Sequence, residues 1–191
     1  MKTLALFDFD GTVYKKDSLL EFTKFHKGKI AFFLGMFLLF PYLIGLKLGF
    51  LKNDKVKIKF ISHFFKGIDV EKFTEKGKKF ALQHIDENLN PLVYKEFQNH
   101  LKKGDTIYIV SASVAEWIEP WSNQFGVQVI GTILEIKNNK ITGNFSSKNC
   151  YGIEKVTRVN EILNLNDFSV IKVYGSGKGD LEMLQLSKAE V

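Results

Sequence analysis

Two aspartates near the start of the chain, Asp8 and Asp10, have the types and spacing for acid–base or metal-assisted chemistry. They follow a short apolar run and sit in Asp8-Phe9-Asp10-Gly11-Thr12. Residues two apart in an extended chain project to the same side. Two close acids that cannot both ionise freely need a cation, or one of them keeps a proton. A cation here would be Mg²⁺, which prefers oxygen ligands, whereas a retained proton could be given to a leaving alkoxide. The alternative, a strand end with two solvated acids, is uncommon for such a motif.

Three further groups of residues follow other predicted strands or open helices. Val110-Ser111-Ala112-Ser113 ends an apolar strand with hydroxyl residues beside the backbone N–H groups of a helix start, which can bind an oxyanion. Lys155 falls in the first turn of a predicted helix, where a cation opposes the helix dipole and favours a nearby anion. Asp180 ends a glycine-rich turn after a third apolar strand. Taken singly, each is commonly only an N-cap, a surface lysine or a turn.

Together, the four motifs span nearly the whole chain and resemble those of the haloacid dehalogenase superfamily, specifically its phosphoserine-phosphatase-like subfamily IB. The resemblance implies a Mg²⁺-dependent phosphatase in which Asp8 attacks phosphorus to form an aspartyl-phosphate. It implies that Asp10 protonates the leaving group and then activates water. The implied ligands are Gly11, Ser111, Ala112 and Lys155 for the phosphate, and Asp8, Asp10 through its carbonyl, and Asp180 for the metal.

Ser176 departs from the family pattern. The last motif of the family usually reads Gly-Asp-x-x-x-Asp, and its first acid binds the metal, but Ser176 occupies that position here while Asp180 is retained. A hydroxyl is a poor substitute for a carboxylate on Mg²⁺. An alternative function is therefore a catalytically weakened protein that binds phosphate or metal, or that acts at a membrane surface.

The order of apolar and helical patterns predicts an α/β fold. After Gly104, strands alternate with helices, which indicates a Rossmann-like parallel sheet with helices on both faces. A helical block interrupts this series after the first strand and is interpreted as an inserted helical cap. We expect a catalytic core at residues 1–14 and 91–191 and a helical cap at residues 15–90.

Local signals place several element ends. Asp54 and Asp69 are predicted helix N-caps, and Ala115 to Phe125 is predicted to form one helix. The polar residues 137–140 are predicted to form the turn of a β-hairpin.

Composition and charge narrow the class of protein. The 191 residues, 45% of them hydrophobic, suffice for one buried domain or a core with an insertion. The lone Cys150 excludes an internal disulfide framework, and the first residues lack a signal-peptide layout, so we expect a cytoplasmic protein. Residues 15–79 contain 15 lysines against six acids, a net +9 within a total of +6, which suggests an anionic partner. Nucleic acid is disfavoured because Arg158 is the only arginine.

The stretch from Ile30 to Leu46 contains 17 uncharged residues flanked by lysines. It is slightly short for a membrane span and contains Pro41, which is expected to interrupt it. One crossing would also separate Asp8 from the later motifs. Three alternatives are left: packing in the core of the cap, pairing with another subunit, or contact with a membrane surface, the first two being favoured. The oligomeric state is not fixed by the sequence.

The apolar stretch also bears on the substrate. An apolar run with basic flanks in the cap resembles the phosphatidylglycerophosphatase C-type members of the same subfamily. The substrate is therefore expected to be either a phosphorylated small molecule or a lipid phosphate.

Overall fold

The computed structural model describes residues 2–189, so residues 1, 190 and 191, at the ends of the predicted core, lie outside the described part. The strands are β1 (Thr3–Phe7), β2 (Thr106–Val114), β3 (Gln128–Thr132), β4 (Leu134–Lys137), β5 (Lys140–Phe145) and β6 (Val170–Tyr174). The helices are α1 (Ser18–Lys27), α2 (Lys29–Lys47), α3 (Asn53–Phe65), α4 (Val70–His84), α5 (Pro91–Lys103), α6 (Glu119–Ser122), α7 (Ile153–Ile162) and α8 (Leu181–Leu184). This order confirms the predicted α/β fold with a helical insertion, α1 to α4, after the first strand.

The main sheet has four parallel strands in the order β3-β2-β1-β6. The inner strand β1 is apolar and buried from Leu4 to Phe7 because it is covered on both faces, as is typical of parallel sheets. The last residue of β1, Phe7, pairs with Ile109 of β2 on one side and with Tyr174 of β6 on the other. The chain therefore leaves β1 and β6 at the same edge of the sheet, where ligands bind in open α/β folds.

An aromatic core holds the helical insertion together. Phe22 of α1 packs against Phe65 of α3 and against Phe73 and Phe80 of α4, with ring centroids 5.3–5.7 Å apart. Phe22 also stacks on Trp117, which follows β2, at 4.8 Å. Aromatic pairs in these geometries contribute about 0.5–1.5 kcal/mol beyond the area they bury. The insertion is thus packed directly onto the sheet-bearing part of the chain.

Two local predictions are confirmed and two are wrong. Asp69 caps α4 by accepting the N–H groups of Glu71 and Lys72, and β4 and β5 form the expected hairpin. Asp54 does not cap α3, because the cap position is Lys52 and Asp54 lies in the first turn. Residues 115–125 form short 3₁₀ turns around α6 and no single helix, since a proline at position 120 has no N–H to continue the ladder.

Helix α2 differs most from expectation. It runs unbroken from Lys29 to Lys47 with Pro41 inside it, so the predicted interruption is wrong. By length and composition alone it could cross a membrane. Its inner residues Phe32, Gly35 and Leu39 are buried, while most of its other residues are exposed. Packing of that inner stripe offsets the one hydrogen bond that proline removes. The prediction that the stretch packs inside the cap therefore holds only for this stripe.

Candidate active site

Lys155 joins the predicted motifs at the carboxyl edge of the sheet. It projects from the first turn of α7, and its Nζ lies 2.6 Å from Asp8 Oδ1 and 2.6 Å from Asp180 Oδ1. The same Nζ donates to the backbone carbonyl of Val110 at 2.7 Å. Asp8, Asp180, Lys155 and the neighbouring Ser111 are each at most 6% exposed. The structure therefore brings residues from β1, β2, α7 and the turn after β6 into one buried cluster.

Asp8 is fixed by its place just beyond β1. Its backbone N–H donates to the carbonyl of Tyr174 at 2.8 Å, which extends the pairing of β1 with β6 by one residue. The hydroxyl of Thr12 donates to Asp8 Oδ2 at 2.9 Å. With Lys155 on Oδ1, both carboxylate oxygens have a partner, and the side chain is held in one orientation.

Asp10 is held by a chain of hydrogen bonds from the helical insertion and from β2. The backbone N–H of Ser18 donates to Asp10 Oδ1 at 2.8 Å, and the Ser113 hydroxyl donates to Oδ2. The Ser18 hydroxyl in turn donates to Ser113 at 3.0 Å, and the indole N–H of Trp117 donates to Ser18 at 3.0 Å. We call Trp117, Ser18, Ser113 and Asp10 the Asp10 relay. It joins the start of α1 to the end of β2 through the acid.

The turn after β6 positions Asp180. The backbone N–H groups of Ser176 and Gly177 donate to Asp180 Oδ2 at 3.1 and 2.8 Å. Gly175 permits this tight approach, because a Cβ there would lie 2.6 Å from the Cβ of Asp180. The Ser176 hydroxyl donates to the carbonyl of Gly11 at 3.1 Å and lies 3.1 Å from the Thr12 hydroxyl. Ser176 is thus next to Thr12, whose hydroxyl orients the Asp8 carboxylate.

Burial governs the electrostatics of the cluster. Burial alone would lower the pKa of Lys155, but the charges of Asp8 and Asp180 raise it, so the lysine is held charged. Burial also raises the pKa of Asp8, against the attraction of Lys155 and helped by the charge of Asp180. The pKa of Asp10 is raised to about 7, first by burial and then by the charge of Asp17. One lysine therefore faces more buried acid than it can neutralise.

The donor set suits a hard divalent cation. Asp8 and Asp180 offer carboxylate oxygens, and the excess of buried acid over base favours an added positive charge. Within residues 2–189, no group of three or more His, Cys, Asp or Glu side chains is arranged to hold a metal. Mg²⁺ fits such a two-carboxylate site because it usually keeps several waters and needs few protein ligands.

A cavity of about 430 Å³ lies above the cluster. Its polar floor contains Asp8, Asp10, Ser111, Lys155 and Asp180. The helical insertion covers the cavity with Asp17, Asn53, Lys57 and a larger set of apolar residues. We define the roof as the apolar residues Leu20, Met36, Leu43, Leu46, Val56 and Phe60. The cavity therefore combines charged groups on one side with an apolar wall on the other, as small-molecule sites commonly do.

Most predicted site residues meet at this cavity, but Gly11 does not line it. The Gly11 N–H donates to the carbonyl of Tyr14 at 2.6 Å, so this amide serves the turn. Ala112 lines the cavity, and its carbonyl accepts from Lys57 Nζ at 2.5 Å and from Thr132 at 2.7 Å. The proposed phosphate-binding roles of these residues stay predictions.

Sequence reasoning missed Lys57, Ser18 and Asp17. Lys57 reaches from α3 to the cavity wall, and burial lowers its pKa. No local signal separates it from the other lysines of the insertion, whereas Asp17 could have been recognised as the N-cap of α1.

Sequence comparisons identify a matching family and related proteins. The sequence profile of the haloacid dehalogenase-like hydrolases matches residues 5–185. Protein CicA of Caulobacter vibrioides is 32% identical over 186 residues, covering 96% of this chain and 82% of that protein. A histidinol-phosphatase of Neisseria meningitidis serogroup C is 28% identical over 123 residues, covering 61% of this chain and 55% of that protein.

Solved structures share the fold at low sequence identity. A protein of unknown function from Bordetella pertussis Tohama I has a TM-score of 0.84 at 21% identity, covering 100% of this chain and 89% of its own. A phosphoserine phosphatase in apo form has a TM-score of 0.68 at 16% identity, covering 100% and 85%. A phospho-aspartyl intermediate analogue of phosphoserine phosphatase has a TM-score of 0.59 at 19% identity, covering 99% and 85%.

Proposed function

The chain belongs to the haloacid dehalogenase-like hydrolase family, and we propose that it is a phosphatase that cleaves phosphomonoesters through an aspartyl-phosphate on Asp8. One observation carries the proposal. The carboxylate of Asp8 is oriented by Thr12 and Lys155 at the floor of a cavity, with a second acid, Asp10, two residues further on. A nucleophile and a separate proton donor on one floor are what covalent phosphoryl transfer requires.

In the first half of the reaction, an oxygen of Asp8 attacks phosphorus and the bond from phosphorus to the leaving oxygen breaks. We assign the binding of the phosphate oxygens to Lys155 and to the Ser111 hydroxyl, because both line the cavity with Asp8. The three N–H groups of Lys155 donate to Asp8, Asp180 and Val110, so a phosphate oxygen would replace one of these acceptors. Catalysis of this kind depends mainly on positioning and on charge stabilisation. The buried, charged ammonium of Lys155 supplies both, because few water molecules compete for it.

Asp10 supplies the proton that the leaving alkoxide needs. With its pKa raised to about 7, a large share of Asp10 is protonated at neutral pH. In the second half, the ionised Asp10 accepts a proton from the water that attacks the aspartyl-phosphate, which releases phosphate and restores Asp8. The Asp10 relay keeps this carboxyl oriented in both steps.

Mg²⁺ is the cofactor that the donor set supports best. Asp8, Asp180 and the backbone carbonyl of Asp10 would hold it, with water completing its shell. When bound, it would neutralise negative charge on the transferring phosphate. Because Ser176 replaces an acid, we expect the magnesium requirement to be in the millimolar range.

The roof of the cavity favours a phosphomonoester of an apolar alcohol. Its side chains come from α1, α2 and α3 and offer no charge to the alcohol part of a substrate. The ammonium of Lys57 lies beside this wall, 2.5 Å from the Ala112 carbonyl, and could meet one further polar group. Soluble alkyl phosphates and lipid phosphates share this chemistry, and phosphoserine does not.

Turnover of p-nitrophenyl phosphate with and without Mg²⁺ tests the activity. The native protein is expected to release phosphate only with Mg²⁺, and Asp8→Asn is expected to be inactive but folded, because an amide cannot attack phosphorus. Asp54→Asn, at an exposed aspartate of α3, is the matched control and should retain native activity. Beryllium fluoride with Mg²⁺ should mark Asp8 alone. Native turnover by Asp8→Asn would refute the covalent mechanism.

A second candidate function is phosphate binding without turnover. Ser176 and the two-carboxylate donor set favour it, because weak metal binding would leave the transferring charge unneutralised. Calorimetry with inorganic phosphate distinguishes the two. Saturable phosphate binding by a native protein that turns over no phosphomonoester, even in excess Mg²⁺, would establish this second function in place of the first.

A further inference from the structure

Helix α2 presents one continuous apolar face to solvent. We define this outer face as Ile30, Phe33, Leu34, Phe37, Leu38 and Phe40, all of which are exposed. Phe37 is 79% exposed, and Phe33 is 63% exposed although its ring meets the edge of the Phe32 ring at 5.4 Å, so most of both rings faces solvent. Contiguous exposed patches of large apolar side chains mark contact sites for a partner or a membrane.

The opposite side of α2 is fastened to the rest of the insertion. Phe32 and Leu39 are 4% exposed, and the Phe32 and Phe64 rings stack with centroids 6.0 Å apart. Gly35 allows α3 to come close, because a Cβ there would lie 2.3 Å from the Phe64 ring. Since the inner side also lines the cavity through Met36 and Leu43, α2 cannot leave without dismantling the roof. These contacts hold the outer face on the surface, and a transbilayer position for the helix would break them.

Lysines surround the outer face, and acids are missing from the same segment. Residues 22–53 contain five lysines and no Asp or Glu. Lys24 is paired with Glu21 at 2.6 Å. Lys29 and Lys47 are exposed at the two ends of α2, and Lys52 is exposed at the cap of α3. A helix of 19 residues is about 28 Å long. The charges at both ends and the apolar residues between them match an anionic surface with an apolar layer just beneath it.

We propose that the outer face of α2 docks onto an anionic lipid bilayer, with the helix axis parallel to the membrane plane. The apolar side chains would enter the boundary between headgroups and acyl chains, and the three exposed lysines would meet anionic headgroups. A second copy of this chain fits less well, because an antiparallel pair of α2 helices would set Lys29 of each copy against Lys47 of the other. Docking does not require phosphatase activity.

Flotation with vesicles of equal parts phosphatidylglycerol and phosphatidylcholine tests the proposal. The native protein and Asp8→Asn are both expected to float, so a failure of the proposed catalysis would leave this result unchanged. Phe33→Asp with Phe37→Asp should not float. Leu92→Asp with Ile162→Asp, which changes two exposed apolar residues elsewhere, should float like the native protein. Circular dichroism melts are the check that each variant is folded.

The charge arm uses Lys29→Gln, Lys47→Gln and Lys52→Gln together. Each lysine near an anionic surface contributes roughly a fivefold factor in partitioning, so the triple variant should bind about a hundredfold more weakly. The triple change of Lys95, Lys102 and Lys103 to Gln removes the same charge from exposed residues of α5 and should bind nearly as the native protein does. Raising the salt should reproduce the first result.

A tryptophan introduced on the outer face can report directly whether α2 enters the membrane. The native Trp117 and Trp121 are fully buried, so their emission should not respond to vesicles. Phe37→Trp should shift to shorter wavelength with the anionic vesicles, and Leu92→Trp should not. The proposal is overturned if the native protein does not float, if the double aspartate variant floats equally well, or if sedimentation shows a dimer that this variant dissociates while vesicles retain neither form.

Discussion

The floor and the roof of the cavity are built by opposite means. On the floor, Asp8, Lys155 and Asp180 are held by charged hydrogen bonds of 2.6–3.1 Å that start from strand ends and from α7. On the roof, side chains of α1, α2 and α3 meet the cavity through apolar surface. The difference indicates that reaction and substrate choice lie largely on separate segments of the chain, with Ser18 of the Asp10 relay as the link between them. Changes in the roof side chains should therefore leave the reaction largely intact.

The largest effect after loss of the nucleophile is expected at Asp10. Asp10→Asn keeps the shape of the floor but cannot give or take the proton, so turnover of alkyl phosphates should fall by about 10²–10⁴-fold. Substrates whose leaving group needs no proton should lose less in the first step, which burst kinetics with p-nitrophenyl phosphate can measure. Equal losses of rate for alkyl phosphates and for p-nitrophenyl phosphate would mean that Asp10 has a purely structural role.

A polar change in the roof should alter selectivity without altering chemistry. Leu43→Asn is expected to lower kcat/KM for octyl phosphate by about tenfold, the scale of a lost apolar contact in a binding pocket, and to change that for p-nitrophenyl phosphate much less. The ratio of the two kcat/KM values is the measurement. Leu82→Asn, at an exposed leucine of α4 outside the cavity, is the control. A parallel fall for both substrates would contradict the separation of floor and roof.

Ser176→Asp should strengthen magnesium binding at the floor of the cavity. An added carboxylate next to Thr12 and Gly11 would give Mg²⁺ a third acid, and the apparent magnesium constant of turnover should tighten severalfold. Ser176→Asn, similar in size but uncharged, serves as the control and should not tighten it. If the native protein already saturates at micromolar Mg²⁺, the assignment of this turn as a metal site is wrong.

The smallest effect concerns the aromatic core behind the roof. Burial, aided by Lys27 and Lys76, lowers the pKa of His26 from 6.5 to about 4. Between about pH 6.5 and pH 4, His26 is therefore protonated in the unfolded chain but neutral in the folded chain. The free energy of unfolding should decrease as the pH falls through this range. His26→Phe should lose part of this slope in thermal melts between pH 7 and pH 5, and His63→Phe, at an exposed position, should keep it.

The sequence predicted the floor better than the roof for a physical reason. Residues such as Asp8 and Ser111 follow apolar runs of period and length typical of buried strands, and parallel strands end at one edge. The predictions that Asp54 caps a helix and that Pro41 interrupts one were wrong, because capping and helix breaking depend on what the neighbouring turns pack against. The reach of Lys57 and the Asp10 relay could not be predicted, since both depend on contacts between residues 55 to 103 positions apart.

The Asp10 relay makes the protonation of Asp10 depend on the position of α1. Ser18 begins α1 of the helical insertion, while Ser113 and Trp117 belong to the segment at the end of β2. Asp10 therefore has all its hydrogen-bond partners only when α1 is packed against that segment. A tilt of α1 away from the sheet would remove the Ser18 N–H from Asp10 and the Ser18 hydroxyl from Ser113. It would also hydrate Asp10, whose pKa should then fall towards that of an ordinary carboxylate. An enzyme with α1 displaced would then lack the proton that the leaving alkoxide needs, and transfer of the phosphoryl group to Asp8 should be slow.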